Sequence, residues 1–274
     1  MIEFALSEIL RLLGYRFFQY ALLGGIVSAL TCAWVGLFLV LRKEVMIGDG
    51  IAHTAFGGVA IGLFLGIDPV FAAFLISVLA VFGVSYMRKK GLASSDSAIA
   101  MMLALGFSTG LIVISLAGGF NVELFSYLFG SILTIDEQDL LVIAILGIST
   151  ILFMGLFHKE LLSITFDEED ARLAGLPIRP LSIAFNMLVA TTIALSIKVI
   201  GIILVVALLV IPGLSALQLS LPFKKTVVAT VSFAIVSMVT GILLSAILNV
   251  ATSGVIIFTA AAFFLLTTVY KRLG

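Results

Sequence analysis

Apolar runs of about 17–25 residues recur from one end of this chain to the other, each long enough to cross a hydrocarbon core of roughly 30 Å. Inside lipid every backbone N–H and C=O needs a partner from the chain itself, which leaves only helices and closed barrels. The alternating pattern of barrel strands is missing, so the runs read as helices. Composition agrees: of 274 residues, 62% are hydrophobic and 11% charged, too few polar groups to clothe a soluble domain of this size. The expected fold is all-α and polytopic, with spans near 17–41, 47–66, 70–87, 98–117, 138–157, 181–197, 199–219, 226–248 and 253–270. Only Lys198 punctuates the pair 181–197 and 199–219, so eight and nine spans both fit. No linker or internal repeat divides the chain, which reads as one domain over 1–274.

Basic residues set the orientation. The loops holding Arg42/Lys43, Arg88 to Lys90, Lys159 to Arg179, Lys224/Lys225 and Lys271/Arg272 carry twelve of the fifteen Lys and Arg, leaving Arg11, Arg16 and Lys198 opposite. That excess marks the cytoplasmic side. The outer side collects Asp68, Glu123, Asp136, Glu137 and Asp139, either tolerated acids or a mouth that attracts cations. The opening "MIEFALSEILRLLGYRFFQY" places acids before bases and lacks an apolar core ahead of Arg11. It is expected to be an interfacial amphipathic helix, with Phe4, Leu6, Ile9, Leu10 and Leu13 toward lipid, rather than a cleaved signal. Cys32, the single cysteine, lies in an apolar run and reads as a small packing residue. The chain has no G-x-x-x-x-G-K-[ST] phosphate loop and does not bind ATP by that route.

Two segments depart from the apolar background. The first is "EVMIGDGIAHTAFGGVAIGLFLG", Glu44 to Gly66, which carries Asp49 and His53 at i and i+4, on one helix face. A structural role is available to both: Asp49 as a helix cap and His53 as an interhelical hydrogen-bond donor. Ionisable groups within a bilayer are nonetheless functional candidates, and a carboxylate with an imidazole can share a borderline cation such as Zn²⁺ or Mn²⁺. Two ligands hold an ion too weakly for a structural site, which suits passage. Gly57, Gly58 and Gly62 continue the helix at a spacing that lets neighbouring backbones approach.

The second segment is "HKELLSITFDEEDARLAGLPIRP", His158 to Pro180, the longest polar stretch. Asp167, Glu168, Glu169 and Asp170 suit the positive end of a helix dipole. Thr165 with Glu168 fits the capping-box pattern, and Asp167 with Asp170 is the alternative cap. Gly175 offers a stop and Pro177 forbids continuation, which predicts a two-turn surface helix, either a solvated loop element or a dock for a partner.

Together these residues resemble a family. "LRKEVMIGDGIAHTAFGGVAIG" is similar to the Gly-Asp…His segment of the permease subunits of zinc and manganese ABC importers. "ASSDSAIAMMLALGFSTGL" looks like the family's Asp-x-x-Ile segment, with Asp96 in the matching place. "ITFDEEDARLAGLP" resembles its cytoplasmic Phe-Asp-x-x-x-Ala-x-x-x-Gly element, and "KVIGIILVVALLVIPGLSA" its Val-Gly-x-x-Leu-Val-x-Ala-Leu-Leu-x-x-Pro span. The four matches fall in family order and cover most of the chain. The resemblance implies a type II ABC importer-like permease that is not itself an enzyme and holds no resident cofactor, its cargo a divalent cation, zinc or manganese. It implies that Asp49 and His53 lie on the metal path and that Phe166, Asp167, Glu168, Glu169, Ala171 and Gly175 contact the ATPase. It implies a homodimer in the cytoplasmic (inner) membrane, served by cytoplasmic ABC ATPases and an extracytoplasmic metal-binding protein, with no role for nucleic acid. Gly57-Gly58 stands where manganese members often carry Pro-Gly, which favours zinc, and Ser131 stands where an acid is common.

Other classes fit less well. An intramembrane aspartyl hydrolase needs two facing carboxylates, and only Asp49 reads as a span acid. A permease for cobalamin or a metal chelate shares the architecture but is typically longer. A secondary carrier would show paired broken helices in matching halves.

Overall fold

The computed structural model describes residues 11–119, 122–130 and 135–273, and every element among them is a helix. In chain order these are α1 (Arg16–Leu41), α2 (Val45–Leu65), α3 (Pro69–Lys90), α4 (Ser95–Leu116), α5 (Val122–Phe129), α6 (Glu137–Phe166), α7 (Glu168–Leu173), α8 (Ile178–Ile200), α9 (Ile202–Gln218), α10 (Phe223–Leu248) and α11 (Thr252–Leu273). Phe4, Leu6, Ile9, Leu10 and Ser131, and the side chain of Glu123, lie outside the described residues.

Eight helices are long and apolar enough to span: α1, α2, α3, α4, α6, α8, α10 and α11. At 17 residues α9 reaches only about 25 Å at 1.5 Å per residue, the shortest length that can cross. The break between α8 and α9 falls at Gly201, not at Lys198. Lys198 instead sits in the last turn of α8, where a cation suits the helix dipole. Gly201 has φ +86 and lies so near the backbone of Phe129 and Gly130 that a Cβ there would collide with it. Only glycine meets both demands.

Local signals account for the other boundaries. Asp68 caps α3, accepting from Phe71 N–H at 2.6 Å, and Pro69 opens the helix. Ser94 caps α4. Asp136 and Asp139 form a reciprocal capping box on α6, at 2.8 and 3.0 Å. The hydrogen bond donated by Asp139 N–H holds the Asp136 carboxyl below its ordinary pKa. At 30 residues α6 is far longer than the expected span at 138–157; "HKELLSIT" contains no breaker, so the helix runs on to Phe166.

Burial orders the helices. In α2, 72% of the most apolar stretch is buried and in α1 67%, against 22% in α6 and α11. So α1 and α2 are central and α6 and α11 lie at the periphery. Yet α2 is rich in small residues rather than bulky apolar ones. Its fit depends on glycine: a Cβ at Gly57 would fall 2.5 Å from the Gly106 carbonyl oxygen of α4, and one at Gly58 2.6 Å from Ala73 Cα of α3.

The ends of the helices meet as the basic residues require. Glu44, between α1 and α2, lies 3.0 Å from Arg42 and 4.0 Å from Arg88 at the end of α3. At the other end Lys198 grips both carboxylate oxygens of Asp139, at 2.6 and 2.7 Å. An Asp170→Cys variant in a Cys32→Ala background is expected to resist a membrane-impermeant thiol reagent in intact cells and to react after permeabilisation. Rapid labelling of intact cells would reverse the orientation.

Candidate functional site

Helix α2 starts at Val45, with Glu44 in the cap position and no side-chain cap bond. Asp49 is therefore past the first turn, where backbone N–H groups are already spoken for. It cannot cap the helix. Asp49 Oδ1 faces His53 Nε2 at 3.6 Å, and the two side chains are 33% and 34% exposed. Neither makes a hydrogen bond among the described residues, although both lie in the most buried span. The His53 ring meets Phe107 of α4 edge-on, centroids 5.4 Å apart, and Phe107 stacks on Phe56 at 5.5 Å. One wall of the pair is thus aromatic.

No cluster of three or more His, Cys, Asp or Glu occurs among the described residues. The pair offers one carboxylate and one imidazole to a cation, and water or another chain would complete its shell. The acids expected on the outer side add less than their number suggests. Asp68 and Asp136 cap helices, and Asp139 is neutralised by Lys198. Asp96 is exposed in the first turn of α4.

The 158–180 segment is more sharply built than its sequence suggests. Asp167 is the cap, accepting from Glu169 and Asp170 N–H at 2.9 Å each. The pairing of Thr165 with Glu168 does not form, because Thr165 lies within α6 and its hydroxyl donates to the Leu161 carbonyl. At the other end Gly175 adopts φ +80, its N–H donating to Arg172 O and that of Leu176 to Ala171 O. This is a Schellman stop. Ala171 is fully buried with Ile164, Ile178 and Leu181, so it anchors α7 rather than meeting a partner. Phe166 at 79% and Leu173 at 86% exposure stand on the outside. Leu173 was hidden in the sequence; the only signal was an apolar residue two positions after a buried alanine on a charged helix.

The sequence profile of the ABC 3 transport family matches residues 14–271. The chain belongs to that family. It is 30% identical over 256 residues to the manganese transport system membrane protein MntC of Halalkalibacterium halodurans, covering 93% of this chain and 88% of the relative. It is 32% identical over 256 residues to the high-affinity zinc uptake system membrane protein ZnuB of Haemophilus influenzae, covering 92% and 96%. A solved structure, PsaBC from Streptococcus pneumoniae in complex with Fab, superposes with a TM-score of 0.87 at 29% identity, covering 100% of this chain and 99% of that one. This ABC 3 transport protein is a multi-pass permease subunit of the inner membrane, a transport component rather than an enzyme.

Proposed function

We propose that this permease moves a divalent metal ion, zinc or manganese, inward past Asp49 and His53, with ATP hydrolysed by a separate cytoplasmic subunit docked on α7. The observation that carries the reading is the Asp49–His53 pair itself: an acid and an imidazole on the most buried span, facing each other and bound to nothing else among the described residues. Relatives named for manganese and zinc transport support the cargo class. A carboxylate oxygen and an imidazole nitrogen suit both metals.

Docking on α7 is supported by Leu173 on that helix and Phe166 at the end of α6, two large apolar side chains exposed beside the three acids of the first turn of α7. Asp167 and Gly175 shape the ends of that helix, Ala171 roots it, and Glu168 and Glu169 give its outer face a negative charge. Glu168 also pairs with Arg172 at 3.2 Å, an exposed contact worth about 1 kcal/mol or less. A second copy of the chain and an extracytoplasmic metal-binding protein complete the proposed assembly.

Cells lacking this chain, grown on limiting zinc, manganese or iron and on cobalamin, test the cargo. The reading expects slow growth and low cell content for zinc or manganese alone, restored by the salt in excess. A defect confined to cobalamin or a metal chelate would overturn it.

A further inference from the structure

A second polar feature, lined by neither Asp49 nor His53, lies at the cytoplasmic end of the bundle. The α1–α2 turn, the end of α3, α7 and the start of α8 enclose a crevice of about 410 Å³. Its walls carry Arg42, Arg88, Lys89 and Arg179 against Glu44 and Glu168, four bases to two acids. Glu44 lies 3.0 Å from Arg42 and 4.0 Å from Arg88, although its buried Oε2 completes no hydrogen bond among the described residues, and Glu168 pairs with Arg172. Lys89 and Arg179 have no carboxylate partner among the described residues.

Arg42 is built in rather than draped over the surface. Its side chain is only 10% exposed, and the guanidinium lies 5.1 Å over the Phe185 ring. Nε faces Glu44 and Nη2 donates to Ser182 Oγ at 3.4 Å, while Nη1 is buried with no acceptor among the described residues. A buried guanidinium N–H without an acceptor is costly unless an anion arrives. A surplus of positive charge is the wrong lining for a metal's exit. The crevice also has an apolar side: Phe82 and Tyr86 of α3 stand 44% and 58% exposed beside the basic residues. Charge at one end and lipid-facing aromatics at the other match an amphiphile that lies along α3.

We propose that this crevice binds an anionic phospholipid of the cytoplasmic leaflet, its phosphodiester against Arg42, Lys89 and Arg179 and an acyl chain along Phe82 and Tyr86. Basic pockets between spanning helices on this side of a membrane suit such headgroups. The shared chemistry is a phosphate anion, and the apolar wall selects the lipid over free phosphate.

The test uses the purified full chain in micelles doped with phosphatidylglycerol or phosphatidylcholine, with retained lipid read by native mass spectrometry. The wild type is expected to keep phosphatidylglycerol at least about tenfold over phosphatidylcholine. A Lys89→Gln/Arg179→Gln variant, altered at two exposed positions that packing does not need, is expected to bring the two lipids within about twofold. A Lys271→Gln/Arg272→Gln variant loses the same charge elsewhere on the same face and is expected to keep the wild-type preference. The proposal is overturned if Lys89→Gln/Arg179→Gln retains phosphatidylglycerol like the wild type, or if the Lys271/Arg272 variant loses it equally. Complete displacement of the lipid by millimolar inorganic phosphate would overturn it as well, leaving a free-anion site.

Discussion

Asp49→Asn is expected to abolish most metal uptake, by at least about 10–100-fold, while leaving the protein folded, assembled and normally abundant. That range is typical for losing even an outer-shell partner of a metal ligand, so it is a floor for a ligand itself. The change is nearly isosteric and removes only charge. Were the carboxylate a cap, Asn would replace it with little loss. The start of α2 at Val45 removes that role, so stability should move by no more than about 0.5 kcal/mol. A dication giving up water needs the negative charge, and an amide oxygen does not supply it. His53→Ala should lose uptake likewise. His53→Asp should retain some transport with preference moved toward manganese, because a second oxygen ligand is harder than imidazole. Normal uptake by Asp49→Asn would place the path elsewhere.

Gly175→Val is expected to uncouple the transporter through backbone conformation alone. No atom lies within 4 Å of the position a Cβ would take, so crowding plays no part. The left-handed φ of +80 costs a β-branched residue about 1–2 kcal/mol or more. A six-residue helix has no stability of its own to absorb that, and α7 is held by its Asp167 cap, its glycine stop and the single buried Ala171. Fraying would swing Leu173 away from any partner. Gly175→Asn, which tolerates this conformation, should stay near wild type. Leu173→Glu tests the surface without touching the fold, since the side chain is 86% exposed. It should leave the permease intact and strip the copurifying ATPase. Full uptake by both Gly175→Val and Leu173→Glu would remove α7 from the coupling surface.

Much of the fold was legible because lipid permits so few solutions. Length and hydropathy alone located the spans, and the skewed basic residues matched the helix ends that the Glu44 ion pairs bring together. What stayed hidden depended on neighbours distant in sequence. Lys198 looked like the break between two spans because a lone charge interrupts an apolar run. In three dimensions it has Asp139, 59 positions away, and the break moves to Gly201. The same pairing turns a presumed outer acid into a structural ion pair. The site divides similarly: the i, i+4 spacing put Asp49 beside His53, whereas the helix start that excludes a cap was too near the limits of pattern reading. On α7, Gly175 announced itself by residue type, but the burial of Ala171 and the exposure of Leu173 followed from packing against α6 and α8.

The central claim is that a metal ion touches Asp49 and His53 on its way through. X-ray absorption at the zinc or manganese edge, on the assembled transporter held with excess metal and no ATP, reads that contact directly. The account predicts a first shell of oxygen and nitrogen with imidazole outer-shell scattering that disappears in His53→Ala, and bound metal that falls sharply in Asp49→Asn. A shell and a metal content unchanged in both variants would contradict it.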